Sequence, residues 1–353
     1  MAPLISPKPK RPLNIILMVG DGMGISQVTA AMYSQQGRAL NLERFKVLGF
    51  SKTYSDSNLI TDSAAGATAF STGKKTYNNA IGMDRDTVPA TTIVEMAEAR
   101  GLATGIIVTC EVTHATPAAF FAHQESRVMY EEIALDLSNS GLDLVIGGGW
   151  KYFGERDDHR MLLSEMRSKG FKVKDMSTPL SEVRLQPGDR LAWFTDRDRP
   201  PRADKGRTYL ADATDYGMEF LRNRSPQGFF LLVEGSQIDW GGHANDGEYI
   251  VAETLDFDAA IGRALDFAEK DQNTLVIVTG DHETGGLAVM GGSEWGDLNF
   301  GFATGGHSAD LIPVYAYGPG SELFHGFMEN TDIFHKMVSS LGWDSEKKKK
   351  KQR

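Results

Sequence analysis

The chain has 353 residues, 41% hydrophobic and 24% charged, with 38 glycines and 13 prolines, which excludes extensive disorder and suffices for one large core or two smaller ones. Its 37 Lys and Arg against 47 Asp and Glu leave a net charge of −10, which repels a polyphosphate backbone and makes nucleic acid a poor partner. Mean hydropathy of −0.30, without an apolar run near the roughly 18 residues of a bilayer crossing, excludes a transmembrane helix.

The opening residues 1–12, MAPLISPKPKRP, are charged but lack the apolar stretch of a secretory leader, and are expected to be an extension outside the fold. Short runs rich in Ile, Val and Leu follow: LNIILMVG from Leu13, TGIIVT from Thr104, LDLVIGG from Leu142, FFLLVEG from Phe229, TLVIVTG from Thr274 and IPVYAYG from Ile312. These read as strands buried on both faces. Between them lie stretches of helical spacing, such as Ile93, Met96 and Ala97 before Gly101, and Val251, Leu255, Ile261, Leu265 and Ala268 before Asp271. The alternation predicts an α/β fold in three layers, a central, mostly parallel sheet flanked by helices.

No repeat or long linker divides residues 13–343, which are expected to form one domain. Residues 151–207, with TDRDRPPRADKGR, read as a surface excursion rather than sheet. The lysine-rich tail, 344–353, reads as a solvated, disordered end.

In an open parallel sheet, ligands gather beyond the carboxyl ends of the strands. Acids and histidines stand at those ends here: Asp21 after the first run, His114 and Thr116 past the second, Glu234 closing FFLLVEG, and Asp281 with His282 after TLVIVTG. Each alone reads as a turn residue or helix cap. Together they would repel one another and lose hydration, a cost that bound cations offset. Of only 8 histidines, His243, His282 and His307 sit in glycine-flanked or acid-flanked turns, and Asp239 lies four residues before His243. The single cysteine, Cys110, supplies neither an intramolecular disulfide nor a thiolate cage, so zinc here would need nitrogen and oxygen ligands, the catalytic type of site.

Ser63 in LITDSAAGATAFSTG precedes small residues that suggest a helix with its N–H groups toward a reacting centre, or else simply caps that helix. Thr61 stands where the serine-hydrolase elbow needs glycine, and the GKK at Gly73 is not a P-loop because Thr68 and Lys75 break that pattern. Ile25 likewise interrupts a dinucleotide fingerprint in GDGMG.

Taken in order, MVGDGMG, TDSAAGATAFSTG, THATPAAF with AHQESR, VEGSQIDWGGHAND, TGDHETGG and ATGGHS resemble the metal-ligand signature of the alkaline phosphatase family. That resemblance covers most of the chain, with residues 150–225 contributing no motif. It implies a phosphomonoesterase of broad substrate range and alkaline optimum, with two zinc ions and one magnesium, normally a homodimer in the periplasm or outside the cell. By position, Asp281, His282 and Asp21 would hold the zinc that activates Ser63, and Asp239, His243 and His307 the second zinc. Asp21, Glu234 and Thr116 would form the magnesium site, Arg127 would clamp the phosphoryl group, and Asp62 would orient Arg127. Ser63 would form a covalent phosphoserine. The four carboxylates and an ionised Ser63 carry five negative charges against six on three divalent ions, so the loaded pocket would attract a dianionic ester despite the acidic chain.

Two positions depart from the best-known bacterial pattern, which has aspartate at the place of His114 and lysine at that of Trp240. The His and Trp pair is similar to that of some cold-active marine and polar members, and leaves the third metal's identity open. The brief stretch between His282 and His307 implies a small crown module and weakens the dimer expectation. A sulfatase is disfavoured because Cys110 lies in CEVTH, outside the context those enzymes modify. A phosphodiesterase and a metal-buffering or phosphate-binding protein are the remaining alternatives.

Overall fold

The computed structural model describes residues 11–344. Most of the expected N-terminal extension and the tail beyond Asp344 lie outside the described residues. In chain order the strands are β1 (Asn14–Gly20), β2 (Val47–Lys52), β3 (Ala103–Glu111), β4 (Leu144–Gly148), β5 (Phe171–Asp175), β6 (Arg190–Phe194), β7 (Phe229–Gly235) and β8 (Thr274–Gly280). Then come the short β9 (Glu283–Thr284), β10 (Leu287–Val289), β11 (Phe300–Phe302) and β12 (His307–Ser308), and finally β13 (Ile312–Tyr317) and β14 (Gly326–Glu329).

Ten of them form one sheet in the order β14-β2-β13-β8-β1-β7-β3-β4-β6-β5. Only β13 runs against the rest, antiparallel to both β8 and β2. All six apolar runs are strands, and the reversed one is the last. The sheet is therefore mostly parallel.

Alternation along each central strand divides the core in two. Ile15, Leu17, Val19, Ile106, Val108, Phe230, Leu232, Leu275 and Ile277 pack on one face with Phe70, Ile93, Ala97 and Met337. Ile16, Met18, Ile107, Leu231, Val233, Val276 and Val278 pack on the other with Val28, Leu221, Phe257, Ile261 and Leu265. Each such buried aliphatic side chain contributes about 1.5–3 kcal/mol. The two layers of helices are thereby fixed to a sheet whose inner strands have no exposed side.

The helix expected around residues 251–268 spans Gly247–Asp271 and is capped by the Asp246 carboxylate, which accepts from the Tyr249 N–H at 3.0 Å. The one before Gly101 spans Ile93–Glu98 and opens with a Thr92/Glu95 capping box. Both end near the residues at which the periodicity stops.

One expectation is corrected. Residues 151–207 are not only a surface excursion, because β5 and β6 extend the sheet beyond β4. Leu191, Ala192, Trp193 and Phe194 are buried in that edge, whereas β5 (FKVKD) is buried only at Phe171. An edge strand with charged outward residues has little apolar periodicity to detect. The loop after β6, residues 195–207, does run over the surface.

Candidate active site

Strand order brings the candidate ligands together. β8, β1, β7 and β3 are consecutive neighbours, so Asp281 and His282, Asp21, Glu234, and His114 with Thr116 project from adjacent strand ends. Val19 pairs with both Glu234 and Thr279, which sets these ends level. Residues up to 261 positions apart in sequence, Asp21 and His282, share one crevice.

Asp281, His282 and Asp21 form the first group and are fully buried. His282 Nε2 lies 3.2 Å from Asp281 Oδ2 and 3.5 Å from Asp21 Oδ1. Asp281 Oδ1 accepts from the N–H groups of Gly22 and His282, at 3.1 and 3.0 Å. This makes it more than a turn residue. Gly22 has φ +71°, and a Cβ there would lie 2.7 Å from the Asp239 Cα, so the turn after β1 requires glycine on both counts.

Asp239, His243 and His307 form the second group. Asp239 Oδ1 lies 3.4 Å from His243 Nε2 and 3.6 Å from His307 Nε2, with 3.2 Å between the two nitrogens. His243 Nδ1 is 2.8 Å from the Gly305 carbonyl and His307 Nδ1 2.8 Å from that of Thr61. A carbonyl only accepts, so in each ring Nδ1 carries the proton and Nε2 presents a lone pair. The Thr284 hydroxyl donates to Asp239 Oδ1 at 2.5 Å, so it accepts from His282 Nδ1 at 3.2 Å, and His282 Nε2 is a lone pair too. Three imidazole lone pairs thus face the carboxylates of the two groups. Such a donor set fits divalent cations with nitrogen and oxygen ligands.

The third group consists of Glu234, His114 and Cys110. Cys110, which by itself forms no thiolate cage, places its Sγ 3.5 Å from Glu234 Oε2. Burial pushes its thiol up, so it stands there as S–H. Thr116 Oγ1, Glu234 Oε1, Asp21 Oδ2 and Asp281 Oδ2 are buried without a hydrogen-bond partner among the described residues, which is costly unless a cation satisfies them. The carboxyls register that cost. Burial, together with the charge of Asp281, raises Glu234 to about 8. Burial and the neighbouring Asp281, Asp239 and Glu234 raise Asp21 well above the carboxylate range. Burial raises Asp281 as well.

Ser63 opens the helix Ser63–Thr72, but Asp62 is its cap, accepting from the Ala65 N–H at 3.0 Å. The serine is therefore spared for another use. Its Oγ lies 3.4 Å from Asp21 Oδ1 and 3.3 Å from His282 Nε2. The helix is buried throughout, as its small residues permit, and Gly66 allows the approach: a Cβ there would lie 3.1 Å from the Asp281 Cβ.

Arg127 completes the floor. Its Nη1 donates to Asp62 Oδ2 at 3.1 Å and its Nη2 to His114 Nε2 at 3.3 Å. His114 is buried, and burial together with the charges of Arg127 and Arg199 depresses its pKa, so the ring is neutral. Trp240, half-buried, meets the His114 ring edge to face at 6.1 Å. Sequence reasoning missed Thr284 and Arg199; the only sign of Thr284 was its place two residues after His282.

The alkaline phosphatase family model matches residues 12–301 and 298–343. The chain belongs to the alkaline phosphatase family. It is 32% identical to alkaline phosphatase 3 of Bacillus subtilis, over 94% of this chain and 89% of that protein, and 32% identical to the alkaline phosphatase of Escherichia coli, over 96% and 87%. Among solved structures, the alkaline phosphatase of the Antarctic bacterium TAB5 superposes with a TM-score of 0.87 at 44% identity, covering 95% of this chain and 99% of that one. A cold-active alkaline phosphatase of a Shewanella species gives 0.86 at 32% identity, covering 93% and 99%. A variant of the Antarctic enzyme, 43% identical to this chain, carries magnesium in its M3 site. As an alkaline phosphatase this protein is a metal-dependent hydrolase of phosphate monoesters.

Proposed function

We propose that Ser63 is the nucleophile of this phosphatase and becomes a covalent phosphoserine. The observation that carries this is the position of Ser63 Oγ, beside Asp21 and His282 at the start of a helix it does not cap. The Ser63 oxygen attacks phosphorus as the P–O bond to the alcohol breaks, and a water then breaks the Oγ–P bond to release inorganic phosphate. Arg127, held at one nitrogen by Asp62, offers its fork to the phosphoryl oxygens. The N–H groups of the helix stabilise negative charge on the same side.

Two zinc ions fit the Asp21, Asp281, His282 group and the Asp239, His243, His307 group, whose imidazole lone pairs are already aimed. A third ion, magnesium in our reading, fits Glu234, Thr116 and Asp21. When bound, divalent cations supply Lewis acidity that lowers the Ser63 hydroxyl pKa and stabilises the entering and leaving oxygens. We read residues 13–343 as one catalytic unit, a homodimer exported to the periplasm or beyond. Between His282 and His307 only the β10–β11 ribbon and the short strands beside it stand in place of a larger crown. Likeness to the Antarctic and Shewanella enzymes supports cold activity.

The deciding experiment combines metal analysis of the purified protein with phosphate release from p-nitrophenyl phosphate and its bis-ester, in wild type and Ser63→Ala. Preference for the monoester and a loss of about a thousandfold or more in kcat are expected. Turnover that survives the substitution would overturn the assignment.

A further inference from the structure

The loop after β6 ends against the site. Gln237 Nε2, three residues before Trp240, donates to the carbonyls of Thr109 and Pro200 at 2.7 and 3.0 Å. The Gly149 N–H donates to the Asp198 carbonyl at 2.7 Å, the Lys151 N–H to that of Arg197 at 3.0 Å, and Lys151 Nζ pairs with Asp198 at 2.8 Å. Arg202 binds Asp246 at 3.1 Å and lies over the Tyr249 ring. A charged surface segment is thereby fixed at both sides of Arg199.

Arg199 itself is held at one end only. Its Nε donates to Glu111 Oε1 at 2.9 Å, a carboxylate at the last position of β3 and 98% buried, while the Arg199 side chain remains 57% exposed. Its guanidinium lies 4.7 Å above the Trp240 ring. Its two terminal nitrogens make no hydrogen bond among the described residues. The far edge of Trp240 borders His114, which holds Arg127. Two guanidiniums thus stand on either side of a two-ring partition, the half-buried Arg127 beside His114 and the exposed Arg199 over Trp240.

We propose that Arg199 is a specificity-determining residue that receives a second anionic group on the leaving alcohol of the substrate. The favoured substrate class is then phosphate monoesters whose leaving group carries a carboxylate or a further phosphate. The chemistry of the site supports this: a guanidinium anchored through Nε and stacked on an indole keeps two parallel donors free, in the geometry that pairs with a carboxylate or phosphate. A cation fixed in place before binding loses little conformational entropy on pairing. The inference rests on the Ser63 reading, since it concerns what enters the same pocket.

The test compares 2-, 3- and 4-carboxyphenyl phosphate with the matching carbamoylphenyl phosphates, which have nearly the same shape but no charge. In the metal-loaded wild type, kcat/KM should favour at least one carboxylate isomer, and the preference should shrink with added salt. In Arg199→Gln, kcat/KM for that isomer should fall about tenfold or more, the loss of one charge-assisted hydrogen bond, while the carboxamide stays unchanged. Because Arg199→Gln leaves Glu111 buried and unpaired, the double variant Arg199→Gln with Glu111→Gln serves as a second arm with the same expectation. Equal loss on charged and neutral esters would show that Arg199 only props Trp240, and no loss on either would show an idle surface charge; both outcomes overturn the proposal. Failure of the Ser63 reading would appear elsewhere, as wild-type turnover that survives Ser63→Ala.

Discussion

Arg127 Nη2 lies 3.3 Å from His114 Nε2. Guanidinium only donates, so this nitrogen of His114 accepts and Nδ1 carries the ring proton. A protonated Nδ1 offers no lone pair to the third group, where it is buried without a partner. His114 therefore tethers the arginine through Nε2.

Replacing His114 by alanine is expected to raise KM several-fold, as Arg127 loses one of its two fixings, without lowering the metal content of the purified protein. Elemental analysis beside steady-state kinetics checks this, and loss of the third metal in the variant would refute the tether. Arg127→Ala, by contrast, should cost about a hundredfold in kcat/KM, since it removes a charged donor from the transferring group.

Metal removal should abolish phosphate release and make stability fall as pH rises. Glu234, Asp21 and Asp281 have raised pKa values in the fold, so the folded state binds protons more tightly than the unfolded chain. Their contribution is fully present below the unfolded carboxylate range and is lost as pH rises, for Glu234 up to about 8. The chelated protein should accordingly melt at lower temperature at pH 8 than at pH 5, and the loaded protein should lack this trend. Thermal unfolding with and without chelator decides it.

Trp240 lies against His114, which holds Arg127, and indole has no charge to offer a phosphate there. Inorganic phosphate should inhibit weakly, and Trp240→Lys should tighten that inhibition by about tenfold, the effect of one charge-assisted hydrogen bond. Competition against p-nitrophenyl phosphate measures both. Tight inhibition of the wild type would sink the argument.

Gly22→Ala should be among the most damaging small changes. Its Cβ would need φ +71° and would meet the Asp239 backbone at 2.7 Å, a strain of about 1–3 kcal/mol. Because the same turn holds Asp281 through the Gly22 N–H, metal affinity should fall together with the melting temperature. Unchanged metal binding in a destabilised variant would separate the two roles.

Phosphate release should rise from pH 6 toward pH 10, as ionisation of Ser63 and the attacking water becomes easier. A pH-rate profile checks this, and a flat one would contradict the mechanism.

The sequence by itself determined the central strands, because a segment buried on both faces must be apolar along its whole length, and it named the acids and imidazoles at their carboxyl ends. It also carried the small residues that let the Ser63 helix bury completely. Tertiary structure alone decided that β8, β1, β7 and β3 are neighbours, that β13 runs backward, and that β5 and β6 join the sheet. It alone placed Cys110 beside Glu234, Thr284 between Asp239 and His282, and Arg199 on Trp240. The reason is range: burial periodicity is written within a few residues, whereas strand order and side-chain partners on different elements follow from packing and register, which leave no local mark.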